Sequence, residues 1–295
     1  MKGQEPLIPD HPMRLIDLVA GAFRYMRRNP AATLGIGALL STATAAVNGI
    51  VLDGILLGGD SNSPVNRMLG GSTLTSEDLD AFGRQITDAA PYLALAGIVS
   101  VLVGFAAVGV MTLGMLQAIR GERVDAGAVW RQVPWARLVR VNLAIVALML
   151  IAAAGPTAAA FVLGGSLGIA ALSAAMGACV VLALVTVLAV PVTVIEGLGA
   201  RVSLRRSAQL MRGGFIRTIW ALFASTILWE GLGSMIAGPI GTMVSALAGG
   251  PSSPAGSALA SIAANIVSGA IALPAVAGTT VLVYIDRVRR TQSAL

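Results

Sequence analysis

This chain has little of what soluble enzymes are built from. Charged residues make up 12% of its 295 residues and aromatics 4%. A soluble globular domain usually carries about 25% charged residues, and half that share cannot clothe a globule of this length. There is one cysteine, Cys179, and one histidine, His11. A single thiol excludes an intrachain disulfide and a thiolate metal cluster, and a single imidazole excludes a multi-histidine metal site. HExxH, Walker and paired-cysteine motifs and a GxSxG in a strand-to-helix setting are missing, so the usual nucleophile-and-base arrangements have no members here. No catalytic residue, cofactor or metal is expected, and the chain reads as a non-enzyme. The shortage of aromatics also argues against a transmembrane β-barrel, which shows aromatic girdles and short alternating segments.

What is present is apolar. Hydrophobic types reach 56%, and the mean hydropathy is +0.83. The excess is gathered into six runs, near Pro30–Leu57, Pro91–Ile119, Leu138–Leu163, Ile169–Ile195, Ile216–Pro239 or beyond, and Ala258–Tyr284. Each exceeds the roughly 20 residues that cross a ~30 Å hydrocarbon core. Their Ala- and Gly-rich composition suits close packing of helix backbones. The expected fold is therefore all-α: a polytopic membrane protein of six transmembrane helices in three hairpins. Pro156, Pro191, Pro239 and Pro274 interrupt these runs and should kink them. Cys179 lies inside one and reads as a small buried hydrophobe.

The formal charge is +6 and the sequence pI about 10.6. In a soluble protein this would suggest nucleic acid; here the basic residues flank apolar runs, so no nucleic-acid partner is expected. All but Arg67 and Arg84 of the 20 basic residues fall on one side of a six-span topology. The positive-inside rule then puts both termini in the cytoplasm. The expected division is a cytoplasmic segment over 1–29, a transmembrane domain over 30–286 with an outer loop at 58–90, and a cytoplasmic tail over 287–295. The opening 29 residues mix acids and bases ahead of the first apolar run, so a cleavable signal peptide is not expected.

AGAFRYMRRNPAATLGIGALL (Ala20–Leu40) resembles AGAVWRQVPWARLVRVNLAIVALML (Ala126–Leu150) and, more weakly, RVSLRRSAQLMRGGFIRTIWALFAS (Arg201–Ser225). This predicts a threefold parallel repeat, each copy a basic amphipathic helix followed by a hairpin. In the first copy Leu15, Val19, Ala22, Phe23 and Met26 recur at helical spacing, as in a helix lying in the cytoplasmic interface with its apolar face buried. Trp130, Trp135, Trp220, Tyr25 and Tyr284 fall where an aromatic belt belongs. Arg24, Arg27, Arg28, Arg131, Arg137, Arg205, Arg206 and Arg212 are the candidate contacts for anionic lipid headgroups. On the outer side, SEDLDAFGRQITDAAP (Ser76–Pro91) predicts a short acidic surface helix.

Glu230, in ILWEGLGSM, stands near the middle of the fifth span. An ionisable group there costs roughly 2.5 kcal/mol or more, so a functional role is the default hypothesis. It could bind a cation or proton or line a polar cavity. It could instead be neutral and bonded to a neighbour such as Asn265, or reach the surface if the helix breaks between Gly231 and Pro239. Asn265 and Asn142 complete the candidate intramembrane polar site, although Asn48 and Asn142 also read as interhelical hydrogen-bonders. Asp53 reads as solvated at the outer end of the first span. Glu196 and Asp286, at cytoplasmic helix ends, should pair with Arg201, Arg205 or Arg289.

Three stretches carry a resemblance: PMRLIDLVAGAFRYMRRNPAATLG (Pro12–Gly35), EGLGARVSLRRSAQLMRGGF (Glu196–Phe215) and VYIDRVRR (Val283–Arg290). They resemble a family of actinobacterial six-span membrane proteins labelled after the membrane domain of glycerophosphodiester phosphodiesterase. The resemblance implies the topology and a bacterial plasma-membrane location, with the soluble catalytic barrel of the name-giving enzymes absent. The leading functional expectation is a non-enzymatic scaffold or accessory subunit of a cell-envelope or export assembly, with a protein partner or a second copy beside it in the membrane. The alternative is a transporter or lipid-handling protein with a cavity near Glu230.

Overall fold

The computed structural model describes residues 13–51, 76–122, 124–163, 165–250 and 253–292. His11, Asp53, the outer stretch 58–75 and the side chain of Asn48 lie outside the described residues. Every regular element among the described residues is an α-helix. In chain order they are α1 (Leu15–Arg28), α2 (Pro30–Val51), α3 (Ser76–Ile119), α4 (Ala126–Gln132), α5 (Trp135–Leu163), α6 (Gly165–Thr186), α7 (Ala189–Glu196), α8 (Ala200–Arg212), α9 (Phe215–Leu247) and α10 (Pro254–Gln292). Six stretches are long and apolar enough to cross a membrane, lying in α2, α3, α5, α6 with α7, α9 and α10. The chain is an all-α, multi-pass membrane protein.

Local chemistry sets the breaks. Pro30 follows Asn29 and opens α2, because the residue before a proline avoids helical geometry while proline itself suits a first helical position. Asp125 caps α4 by accepting from the Gly127 N–H at 3.0 Å, and Pro134 ends that helix the same way. Pro191 lacks an N–H, and its ring would meet the carbonyl of Val187 in a continuous helix. The fourth span accordingly turns at Val187–Leu188 and restarts as α7. Gly197 closes α7 at φ 67°, a left-handed cap that costs other residues a Cβ clash.

Two expectations are corrected. The acidic surface helix and the second span are one helix, α3, since a lone proline at 91 is tolerated within a membrane helix. α9 runs unbroken through Gly231–Pro239, so a helix break does not carry Glu230 to the surface. The interruption expected at Pro191 divides the fourth span into α6 and α7. α10 continues past Tyr284 to Gln292, and Arg287 is only 6% exposed.

The chain divides into two compact units. The first comprises Met1–Thr33, Phe105–Ile227 and Pro274–Leu295. It contains α1, α4 and α8, each followed after one or two residues by a spanning helix. α5 and α6 pack against one another, and Cys179 donates to the Met149 carbonyl between them at 3.7 Å, half-buried rather than buried. α1 turns Leu18, Gly21, Ala22, Tyr25 and Met26 inward, whereas Leu15, Ile16 and Phe23 are exposed. Leu18, Gly21 and Tyr25 thus join Ala22 and Met26 on the face packed against protein, and Leu15, Val19 and Phe23 lie outside it. Tyr25 and Tyr284, expected in the aromatic belt, are both buried against protein. Tyr25 is 1% exposed, and burial pushes its hydroxyl far above its ordinary range. Trp220 remains exposed.

The second unit comprises Leu34–Gly104 and Leu228–Leu273, parts of α2, α3, α9 and α10. Its helices meet through small residues. A Cβ at Gly37 would lie 2.5 Å from the Ala270 carbonyl oxygen, and one at Gly233 would lie 2.9 Å from that of Ser268. Backbones at that separation leave no room for a side chain, which is how small residues hold membrane helices together.

Candidate functional site

Within the second unit the four helix segments surround a cavity of about 260 Å³. Its polar lining comes from Ser41 and Thr44 on α2, Ser100 on α3, Glu230 on α9, and Asn265 and Ser268 on α10. The pairs Ser41/Thr44 and Asn265/Ser268 are each three apart, so each pair shares one helix face. Gly269 lets the wall close: a Cβ there would lie 2.5 Å from the Ser41 hydroxyl oxygen.

Glu230 is the ionisable member. Ser268 donates to its Oε2 at 3.4 Å, near the outer limit of a useful hydrogen bond. No Lys, Arg or His is among the described residues that line the cavity. Both Glu230 and Asn265 are exposed. Two hydroxyls on α2 have their hydrogens engaged: Ser41 donates to the Gly37 carbonyl at 2.6 Å and Thr44 to that of Leu40 at 3.1 Å. Their lone pairs are what remains to face the cavity.

Of the sequence-predicted polar residues, the structure brings Glu230 and Asn265 to this one cavity. Asn142 is elsewhere, in the first unit. It is 4% exposed, and its Oδ1 has no hydrogen-bond partner among the described residues. The four hydroxyl residues were not singled out in the sequence. Their signal was the three-residue spacing of polar groups inside apolar runs.

The predicted headgroup contacts all lie in the first unit and separate by environment. Arg27, Arg28, Arg131, Arg137, Arg205 and Arg212 are exposed, Arg137 while donating to the Gly197 carbonyl at 3.1 Å. Arg24 is half-buried. Arg206 lies 3.6 Å from Glu196, whose Oε1 also accepts from Tyr284 at 2.8 Å. Asp286 pairs with Arg290 at 2.8 Å and accepts from the Met13 N–H at 3.1 Å. Glu196 and Asp286 thus pair with Arg206 and Arg290, because i,i+4 spacing puts Arg290 over Asp286 and α8 carries Arg206 to Glu196.

Sequence reasoning missed the innermost cation. Arg287 donates from Nε to Thr218 Oγ1 at 3.1 Å and from its terminal nitrogens to the carbonyls of Gly213 at 3.3 Å and Gly214. Arg217 donates to the Met13 carbonyl. These bonds tie the end of α10, the start of α9 and the segment before α1 into one polar cluster. A Cβ at Gly214 would overlap the Arg287 guanidinium.

Comparison with protein-family models, curated proteins and solved structures finds no match for this chain.

Proposed function

We propose that this chain is a non-enzymatic solute-binding membrane protein, with transport through the cavity of the second unit as its activity. It would sit in a bacterial plasma membrane with both termini cytoplasmic, as the sidedness of its arginines supports. The thrice-occurring order of short helix then long helix supports a parallel repeat behind the first unit. The exposed Arg27, Arg131, Arg205 and Arg212 are suited to anionic headgroups.

The observation that carries the reading is Glu230, at the middle of the 33-residue α9, lining an acceptor-rich cavity. Against lipid an exposed carboxylate costs roughly 2.5 kcal/mol or more; against water that cost disappears. The geometry therefore favours a wet cavity over a sealed core, and transport over the scaffold expected first from the sequence.

The test is thiol accessibility in native membranes. In a Cys179→Ser background, Ser100→Cys should react with a charged, membrane-impermeant thiol reagent as well as with an apolar one. Reaction with the apolar reagent alone would place the cavity wall in lipid and remove the reading.

A further inference from the structure

The cavity is selective by what it lacks as much as by what it holds. No Lys, Arg or His is among the described residues lining it, so an anion finds no counter-charge. No aromatic lines it either, so the face-on stacking that recognises quaternary ammonium groups is missing. What it offers is oxygen. Ser41 and Thr44 have spent their hydrogens on Gly37 and Leu40, and Ser268 has turned its own toward Glu230. The three hydroxyls therefore present lone pairs, beside one carboxylate. Ser100 and Asn265 can donate as well as accept, but the carboxylate is the one charge among the described residues of the wall, so a complementary ligand carries positive charge and N–H donors.

Size sets an upper bound. At ~30 Å³ per water, 260 Å³ corresponds to roughly nine waters, room for an ammonium group on a short carbon chain with water beside it. Leu273, Val103 and Ala45 supply an apolar patch for such a chain.

The wall itself brings no cation to the carboxylate. From α2 it faces Ser41, Thr44 and Ala45; from α3, Ser100 and Val103; from α10, Asn265, Ser268, Gly269 and Leu273. None of these ionises, so a cation that pairs with the carboxylate comes from outside, as the solute.

We infer that the cavity of the second unit binds a small primary-ammonium solute at Glu230. This rests on the reading of the cavity as a solute site. The Glu230 carboxylate accepts the N–H groups of the ammonium ion, and the hydroxyl lone pairs of Ser41 and Thr44 complete its shell.

The experiment is thermal unfolding of the purified full chain in detergent, titrated with ethylammonium, tetramethylammonium, sodium or acetate at constant ionic strength. Ethylammonium should raise Tm in a saturable way, and the other three should not. Glu230→Gln should weaken the apparent affinity by at least about tenfold, the loss of one charge-assisted contact. If Glu230→Gln does not fold, Thr44→Val, which removes one acceptor of the wall, should weaken the same response. Equal stabilisation by tetramethylammonium or acetate, a response to sodium with none to ethylammonium, or an unaltered response in Glu230→Gln would overturn the inference. A cavity that labels at Ser100→Cys but ignores ethylammonium defeats this inference alone. A cavity that fails to label defeats the solute reading beneath it.

Discussion

In the first unit, Arg287 is 6% exposed, and its guanidinium is matched by the Thr218 hydroxyl and the carbonyls of Gly213 and Gly214. In the second, Glu230 is exposed and has one hydroxyl 3.4 Å away. Both are ionisable groups in long apolar helices, and chemistry alone would put them at similar cost. They differ in partners. A charge whose hydrogen-bonding capacity is filled by the protein holds helices in place, and removing it orphans the groups around it. A charge left short of partners destabilises its surroundings and is available to something from outside. The same contrast separates Asp286, held by Met13 and Arg290, from Glu230.

The sharpest way to break the comparison is to remove the satisfied charge. Arg287→Met should destabilise the protein by about 3 kcal/mol or more, as loss of one partner from a buried charged cluster does. Thermal unfolding in detergent, with Arg212→Ala as an exposed control, measures it. A shift no larger than that of the control would make the cluster ornamental.

A smaller effect is expected where α1 meets α3 in the first unit. A Cβ at Gly114 would overlap the Tyr25 hydroxyl. Gly114→Ala should therefore cost about 1–3 kcal/mol, the usual range for overpacking, and Tyr25→Phe should recover much of it by vacating the oxygen. Additive losses in the double variant would show that the two residues do not share that space. Tyr25 also predicts an alkaline limb. Its folded-state ionisation is raised by burial, so its contribution is whole below the ordinary tyrosine value of about 10 and is lost as pH rises above it. Melting curves taken across that region should be flatter for Tyr25→Phe than for the wild type.

The least disruptive change is at the surface. Replacing Arg27, Arg205 and Arg212 together by Ala should leave stability within about 0.5 kcal/mol per site. Retention of anionic lipid through purification should fall, at about 1 kcal/mol per arginine near a charged membrane surface. Unchanged lipid retention would detach these arginines from the headgroups.

How much of this was legible in the sequence follows from range. Six apolar runs and the proline at 191 act locally, so the spanning helices and the break in the fourth span could be read or nearly read. The α3 continuity could not, because Pro91 looks like a boundary unless the neighbouring helices that tolerate it are known. Arg287 and Arg289 are equivalent in composition. Only the arrival of Gly213, Gly214 and Thr218, some 70 residues earlier in the chain, decides that Arg287 turns inward. The burial of Tyr25 against protein is not legible, because an amphipathic helix has two faces that can be apolar, against lipid or against protein, and periodicity does not distinguish them. For the cavity, Glu230 and Asn265 stood out as polar groups in apolar runs. Ser41, Thr44, Ser100 and Ser268 did not, since hydroxyls in membrane helices commonly bond their own backbone, as Ser41 and Thr44 do. Their convergence on one carboxylate is a property of which helices face one another.

If the first unit's buried charge holds the helices together and the second unit's carboxylate serves a solute, their removal should differ in its effect on stability. Side-by-side melting temperatures of Arg287→Met and Glu230→Gln, measured in one detergent without added solute, decide this. Arg287→Met should show a large drop and Glu230→Gln an unchanged or raised value, because the latter replaces an under-partnered charge with a neutral amide of the same shape. A drop in Glu230→Gln matching that of Arg287→Met would contradict this.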